Sequence, residues 1–395
     1  MNKEKRLLIL SFIVIIGVSF FVYYDITKPT PTWIKTYGSS DNETGYMVIN
    51  AIKNGYIALG SREISSDTEV YLMDLNTLGV TSRQNTFGGN GNDYGYSLRR
   101  ALSGGYILIG KTNSYGLGNY DAWFVKVNED MKPAYNVTYG GAGNDAVYSF
   151  KETKDSRYIL AGNTTSFGSG SSDVYLLKVD PNGQMQWQQV FGGSGEEWGK
   201  SVLQSQNANY WILGSTNSYG SGGYDFYLVE TNPEGSLIMN KTFGGIGDDY
   251  GDSIVENVDG SFLLTGSTNS IGSGQFDALI IKTDQFGNEI WNKTFGGEKD
   301  DIVTFSRETA DHGYLIIGNT NSFGSGKIDM FVMKTDRSGN IEWNKTFGGY
   351  GDDYASFILE TADNGYLLIG TTTSTANGFK SIILVKMDSN GTVSL

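Results

Sequence analysis

Residues 296–347 read GGEKDDIVTFSRETADHGYLIIGNTNSFGSGKIDMFVMKTDRSGNIEWNKTF. Four strand-like runs lie in this stretch: Ile302–Thr309, the short and continuously apolar Tyr314–Gly318, Asp329–Thr335, and the alternating Ile341–Phe347. Asp311-His312-Gly313 separates the first two runs, and Asp336-Arg337-Ser338-Gly339-Asn340 separates the last two. Both are tight-turn chemistry, in which glycine supplies a positive φ. No window has helical periodicity with capping residues at its ends.

This stretch is one copy of a repeat. The motif TFGG or TYG places its first glycine at Gly38, Gly88, Gly140, Gly192, Gly244, Gly296 and Gly348. The first spacing is 50 residues and the following five are 52. Self-similarity on this scale outranks the two or three domains that a length of 395 residues would suggest. Four antiparallel strands repeated seven times predict an all-β, seven-bladed β-propeller. Each sheet then buries both faces against its neighbours, which accounts for apolar runs such as Tyr106-Ile107-Leu108-Ile109 and Phe262-Leu263-Leu264. A solenoid would need atypical capping repeats, and none is evident. Trp33 shares the repeat phase of Trp187, Trp291 and Trp343, and Leu395 falls at that phase again. The propeller is therefore expected over 33–395, with Trp33–Tyr37 supplying the outer strand of the last blade.

The recurring pattern GG-x-G-x-D-x-G, D-G-G-Y, G-x-T-x-S, D-x-x-L-x-K-x-D and G-N-x-x-W resembles the SBBP-type β-propeller repeats of secreted and surface bacterial and archaeal proteins. The resemblance spans about residues 33–395. It implies the propeller fold and an extracellular location, and no single activity. Repeat 1 departs by two missing residues before Glu69, and repeat 7 has Ser381 where most units have Asp.

The N-terminus supplies an address. Lys3, Lys5 and Arg6 precede an uncharged apolar run from Leu7 to Tyr24. Eighteen residues at 1.5 Å each make about 27 Å of helix, close to the hydrocarbon thickness of a bilayer. A basic flank stays inside, which sends the rest of the chain across the membrane. The expected order is a cytoplasmic tail (1–6), a single-pass signal anchor (7–24), a linker (25–32) and the propeller. The run ends in Ser19-Phe20-Phe21-Val22-Tyr23-Tyr24 without a small-x-small site, which favours an anchor over a cleaved signal peptide and a secreted product.

Composition closes several function classes. A net charge of −14 with no basic patch opposes nucleic acid as a partner. With no cysteine and a single histidine, His312, the chain lacks the means for a disulfide framework, a thiolate or zinc site, a Cys nucleophile or a Ser-His-Asp triad. The glycines precede no helix that could present its N-terminus to a nucleotide. No cofactor is called for, and calcium is the one metal that the acids leave open.

Strand parity puts the two tight turns of each blade on one face of the ring. The Gly- and Ser-rich second–third loops and the blade-to-blade loops share the other face. Loops on a rigid scaffold are the usual place for binding. On that face an acid recurs at Glu43, Asp93, Asp145, Glu197, Asp249, Asp301 and Asp353. Such a ring could hold Ca²⁺ or contact a sugar, or each carboxylate could fix its own loop. A second acid recurs at Glu69, Asp121, Asp173, Asp225, Asp277 and Asp329, placed to brace the Gly-rich loop. Tyr115, Phe167, Tyr219 and Phe323 add a recurrent aromatic beside Asn and acid groups, a carbohydrate-like composition that also suits packing between blades. Seven N-x-S/T sequons, at Asn42, Asn136, Asn163, Asn240, Asn292, Asn344 and Asn390, fit an exported chain.

The expected function is a non-enzymatic extracellular binding, adhesion or scaffold module on a membrane anchor, with carbohydrate or a surface protein as partner. The alternative is a polysaccharide-acting glycoside hydrolase or lyase using acids of the loop-rich face. No catalytic set is assigned, because a catalytic carboxylate needs a distinct environment that raises its pKa. Asymmetry among the blades would separate the two readings. By motif only repeats 1 and 7 deviate, which looks like drift of the end repeats rather than a site.

Overall fold

The structure, a computed structural model, describes residues 31–101, 103–376 and 378–394, together with Val14–Ile15 and Val18–Ser19, which pair with each other. The rest of the expected span 7–24 lies outside the described residues. Among those described, no helix is long and apolar enough to cross a membrane.

From Trp33 onward the chain forms seven four-stranded antiparallel sheets, six with their strands in sequence order from the inside outward and the seventh with Trp33–Tyr37 as its outermost strand. Blade 3 is typical, with Asp145–Glu152, Tyr158–Thr164, Asp173–Val179 and Met185–Phe191. Blades are numbered here in chain order, blade 1 starting at Glu43 and blade 7 at Asp353. The repeat at 296–347 forms Asp301–Glu308, Tyr314–Thr320, Asp329–Thr335 and Ile341–Phe347. Its second strand runs two residues past the expected end, because Asn319 and Thr320 still pair with Met330 and Asp329. His312 sits in its turn with a φ of 63° and is exposed, its ring facing Glu308.

Burial follows the pleat. In blade 2, Tyr106 and Leu108 join a core cluster with blade 1, whereas Ile107 and Ile109 join the cluster with blade 3. A second strand that is apolar on both faces is thus one that serves two wedges. The core is a ring of such wedges between neighbouring blades, including one between blades 7 and 1. The recurring Lys of the third strand is buried in the wall and reaches the Asp of its blade's first turn. Lys178 meets Asp155 at 2.9 Å, Lys334 meets Asp311 at 2.9 Å and Lys386 meets Asp363 at 3.1 Å. The lysine stem packs as an apolar strand residue and only its ammonium needs the acid.

The ring closes by chain ends far apart in sequence. Trp33–Tyr37 pairs antiparallel with Ser381–Met387, in the register Trp33↔Lys386 to Tyr37↔Ile382. The strand also staples blade 7 to blade 1. Lys35 Nζ donates to Leu78 O at 2.7 Å, Tyr37 Oη donates to Gly79 O at 2.6 Å, and the Trp33 ring covers Gly79. Gly79 has a φ of 70°, and a Cβ there would lie 2.7 Å from the Trp33 ring. The same Trp-over-Gly contact recurs as Trp187 on Gly235, Trp291 on Gly339 and Trp343 on Gly391. Removing the N-terminal strand exposes the edge of Ser381–Met387, and open edges aggregate. A chain starting at residue 40 should therefore melt below one starting at residue 30 and scatter more light. Trp33→Ala alone should cost about 2 kcal/mol, because the ring is half-buried. Equal melting temperatures without aggregation would show that this strand does not hold the ring shut.

Candidate functional site

The seven recurrent acids begin the innermost strands, and all seven are buried at 0–2% exposure. Each works as a joint. The Asp145 carboxylate accepts from Gly141 N at 2.9 Å, Ser166 Oγ at 2.6 Å and Thr164 Oγ1. Its own amide donates to Tyr120 O of the preceding blade at 2.7 Å. Asp93 and Glu197 hold the equivalent glycine, threonine or serine groups. Asp249, Asp301 and Asp353 keep the glycine and serine bonds, while their Oδ1 atoms have no partner among the described residues. The carboxylates thus face their own loops and not solvent. Among the described residues no group of three or more His, Asp or Glu gathers in a way that could hold a metal ion.

The second acid ring braces the Gly-rich loop as its position suggests. Asp121 accepts from Leu117 N and Gly118 N at 3.0 Å, and Asp277 from Ser273 N at 2.7 Å and Gly274 N at 3.1 Å. Repeat 1 solves the same problem differently. Its two missing residues turn the loop into a hairpin, Tyr56–Ile64 with Asp67–Leu75, and Arg62 takes the place of the usual threonine. Arg62 then holds Glu43 at 3.5 Å and Asp41 at 2.9 Å. The aromatic series stays partly exposed on the loop-rich face, Tyr115 at 38%, Phe167 at 36%, Tyr219 at 43% and Phe323 at 55%. Three of these rings lie on their own blades, Tyr115 by Trp123, Phe167 by Tyr175 and Tyr219 by Tyr227. The structure does not gather the acids and these aromatics into one pocket.

What it does gather is a set of residues that the motif reading passed over. Every innermost strand carries a β-bulge at the same place, where one residue is skipped in the pairing with the second strand. The skipped residues are Tyr46, Tyr96, Tyr148, Lys200, Asp252, Thr304 and Ser356. All of them line a central cavity of about 690 Å³. A bulge re-aims a side chain without ending the strand. Three residues further along each strand, a deeper level holds Ile49, Arg99, Lys151, Leu203, Val255, Arg307 and Leu359. Between the levels, blades 2–5 present Ser97, Ser149, Ser201 and Ser253, whereas blades 6, 7 and 1 present Phe305, Phe357 and Met47. The blades are therefore asymmetric in the channel, and the expectation that only repeats 1 and 7 deviate is corrected. Motif residues build the frame and must recur. The bulge residues lie outside the packed wedges, so the repeated frame does not require them to match, and comparing this one column across repeats would have exposed them.

The channel groups are tightly placed. Tyr96 lies 5.6 Å from Tyr46 and 5.4 Å from Tyr148 between ring centroids. Lys200 Nζ sits 4.5 Å over the Tyr148 ring, a cation–π contact. Near the loop-rich end, Lys111 lies 4.4 Å over Tyr120, and Trp198, Tyr224 and Tyr250 stack in series. Burial pushes the Asp252 carboxyl up to about 7, against the pull of Lys200. Burial, reinforced by Arg99 and Arg307, pushes the Lys151 ammonium down to about 7.

A raised carboxyl pKa means that the folded state disfavours the ionised form. The destabilisation from Asp252 is absent below its unfolded value of 3.8 and grows until pH passes the folded value of about 7. Asp252→Asn should therefore raise the melting temperature at about pH 8 and leave it nearly unchanged at about pH 4. An equal gain at both pH values in thermal melts would remove the buried carboxyl as the cause.

No protein-family model matches the chain, and no curated protein matches it. Among solved structures it is similar to the WD40 domain of Pan2 from Neurospora crassa, with 8% identity, a TM-score of 0.54, and 91% and 96% of the two chains covered. It is also similar to Sqt1 from Chaetomium thermophilum, at 10% identity and a TM-score of 0.50 over 89% and 97%. The polysaccharide lyase Uly1 matches at 12% identity and a TM-score of 0.50 over 95% and 94%. At such identities these likenesses speak for the shared propeller fold alone.

Proposed function

We propose that this protein is an extracytoplasmic binding module, tethered by its N-terminal apolar segment, whose ligand site is the central channel. One observation carries the reading. The side chains that seven equivalent bulges turn into one cavity are chemically different, whereas the motif residues that frame the blades repeat. A pure scaffold would have no use for that difference. A concave cavity that sets aromatic and aliphatic walls beside convergent polar groups is a place where a small ligand can be held and oriented. Tyrosine faces beside serine, threonine and charged groups suit a hydroxylated ligand such as a saccharide unit. The SBBP-like repeats and the basic flank before Leu7 support an outward-facing propeller on a single-pass anchor.

A polysaccharide-cleaving enzyme is the second reading, and Asp252 is what favours it. It is the single acid at its level of the channel, with a carboxyl raised to about 7, in the range of a working acid or base. Against it, no second carboxylate stands at that level, and glycosidase chemistry of the common kind uses two.

A glycan array probed with residues 31–395 tests both readings. Capture should fall at least about tenfold in Tyr148→Ala or Lys200→Met, and should persist in Phe323→Ala on the loop-rich face. The reverse pattern would move the site to the loops. Release of new reducing ends or unsaturated products that disappears in Asp252→Asn would establish the enzyme instead.

A further inference from the structure

The deeper level of the channel holds three cations, Arg99 from blade 2, Lys151 from blade 3 and Arg307 from blade 6, among aliphatic neighbours and with no acid at that level. Their partners are few. Arg99 Nε donates to Phe150 O at 3.0 Å, and Arg307 reaches Glu360 at 3.4 Å while its buried Nε has no partner among the described residues. The Lys151 ammonium has no hydrogen bond or ion pair with any described residue, although its backbone pairs with Ile159 in the strand. Elsewhere the recurrent buried lysines Lys178, Lys334 and Lys386 each have a carboxylate within hydrogen-bonding distance. In a chain of net charge −14, with acids in supply at every turn, three converging cations that share one ion pair, Arg307 with Glu360, make an unusual cluster. Like charges brought together in a cavity disfavour their own charged forms unless an anion joins them.

Building on the channel reading above, we propose that Arg99, Lys151 and Arg307 form an oxyanion site, which takes the carboxylate or phosphate of a small hydroxylated ligand. The body of that ligand lies one level up. Ser149 and Ser201 offer hydroxyls there, and the Tyr96 and Tyr148 rings offer faces. Arginine brings a planar fork matched to both kinds of oxyanion, and lysine adds a point charge between the two arginines.

The cluster also couples binding to a proton. The charged groups facing Lys151 are Arg99 and Arg307 at its own level and Lys200 and Asp252 above, with Glu152, Glu256 and Glu308 at the rim beyond. Its ammonium is pushed down to about 7, first by burial and then by the two arginines. A bound anion opposes both effects, so above neutral pH the protein takes up a proton when the ligand arrives, and affinity falls as pH rises through 7.

Calorimetric titration of the propeller with glucuronate, glucose 6-phosphate, inorganic phosphate and glucose decides this. Run at about pH 8 in two buffers of different ionisation enthalpy, it reads affinity and proton uptake together. At least one of the charged sugars should bind about tenfold or more tightly than glucose, and Lys151→Met and Arg307→Met should each weaken it about tenfold. Which of the two charged sugars binds separates carboxylate from phosphate, and inorganic phosphate shows whether the oxyanion suffices. Proton uptake should vanish in Lys151→Met and persist in Asp252→Asn. Because Lys151→Met also removes a repelled charge, its unliganded melting temperature should match or exceed that of the natural chain, which separates lost binding from lost folding. Equal affinity for glucose would overturn the oxyanion site while leaving the channel as the binding site. Charged probes that bind unaffected by either substitution, or give no saturable heat, would overturn it too.

Discussion

The structure depends on one buried carboxylate, repeated around the ring. At the start of each innermost strand an Asp or Glu binds the amide of the loop it has just left, and in blades 2–7 it also binds a hydroxyl of the stretch ahead. In most blades its amide reaches back to the previous one, and Glu43 N closes the circle by donating to Lys380 O at 3.0 Å. A charge taken from water must be repaid in hydrogen bonds, and here the bonds also set the angle between blades. An aspartate committed in this way is poorly placed to be a ligand. The residue that recurs most faithfully on the loop-rich face is therefore the one with least freedom to act.

Freedom lies on the inside of the same strand. Three residues past the joint, the bulge turns one side chain per blade into the channel, outside the packed wedges between blades. The wedges on either side stay filled by Val, Ile and Leu, so variation at the bulge costs the fold little. Sevenfold repetition thus supplies a rigid wall with seven independently chosen side chains. The observed choice is lopsided, with Tyr46, Tyr96 and Tyr148 in sequence around the ring, then Lys200 and Asp252, then Thr304 and Ser356. An aromatic arc facing a small polar arc, with cations below, is an oriented environment and not a symmetric pore.

Much of the architecture was legible in the sequence because it is periodic. The glycine spacing predicted the blade count, the phase of Trp33 predicted closure, and the third and fourth strands of the quoted repeat match their expected limits. Brackets such as Asp121 on its Gly-rich loop followed from Asp being a turn residue. The channel was hidden for a physical reason. Simple alternation assigns sides by counting in twos, and a bulge breaks the count, so Tyr148 and its equivalents change side without leaving a mark in the motif. Lys151 and Arg99 then read as ordinary polar residues near a turn. Sequence alone could not tell that Asn163 lies within a central strand with its side chain bonded to Tyr148 and Ser172, whereas Asn136, Asn292 and Asn344 project from exposed outer strands. Those seven sequons are alike in letters and unlike in access.

If seven alike blades build one site in the channel, and not seven alike sites on the loops, each chain binds one ligand. Stoichiometry tests this most directly. Native mass spectrometry of residues 31–395, saturated with whichever glycan the array identifies, should show a single ligand per chain. Progressive loading toward several ligands on each chain would mean that the repeated loop face binds and the channel does not define the site.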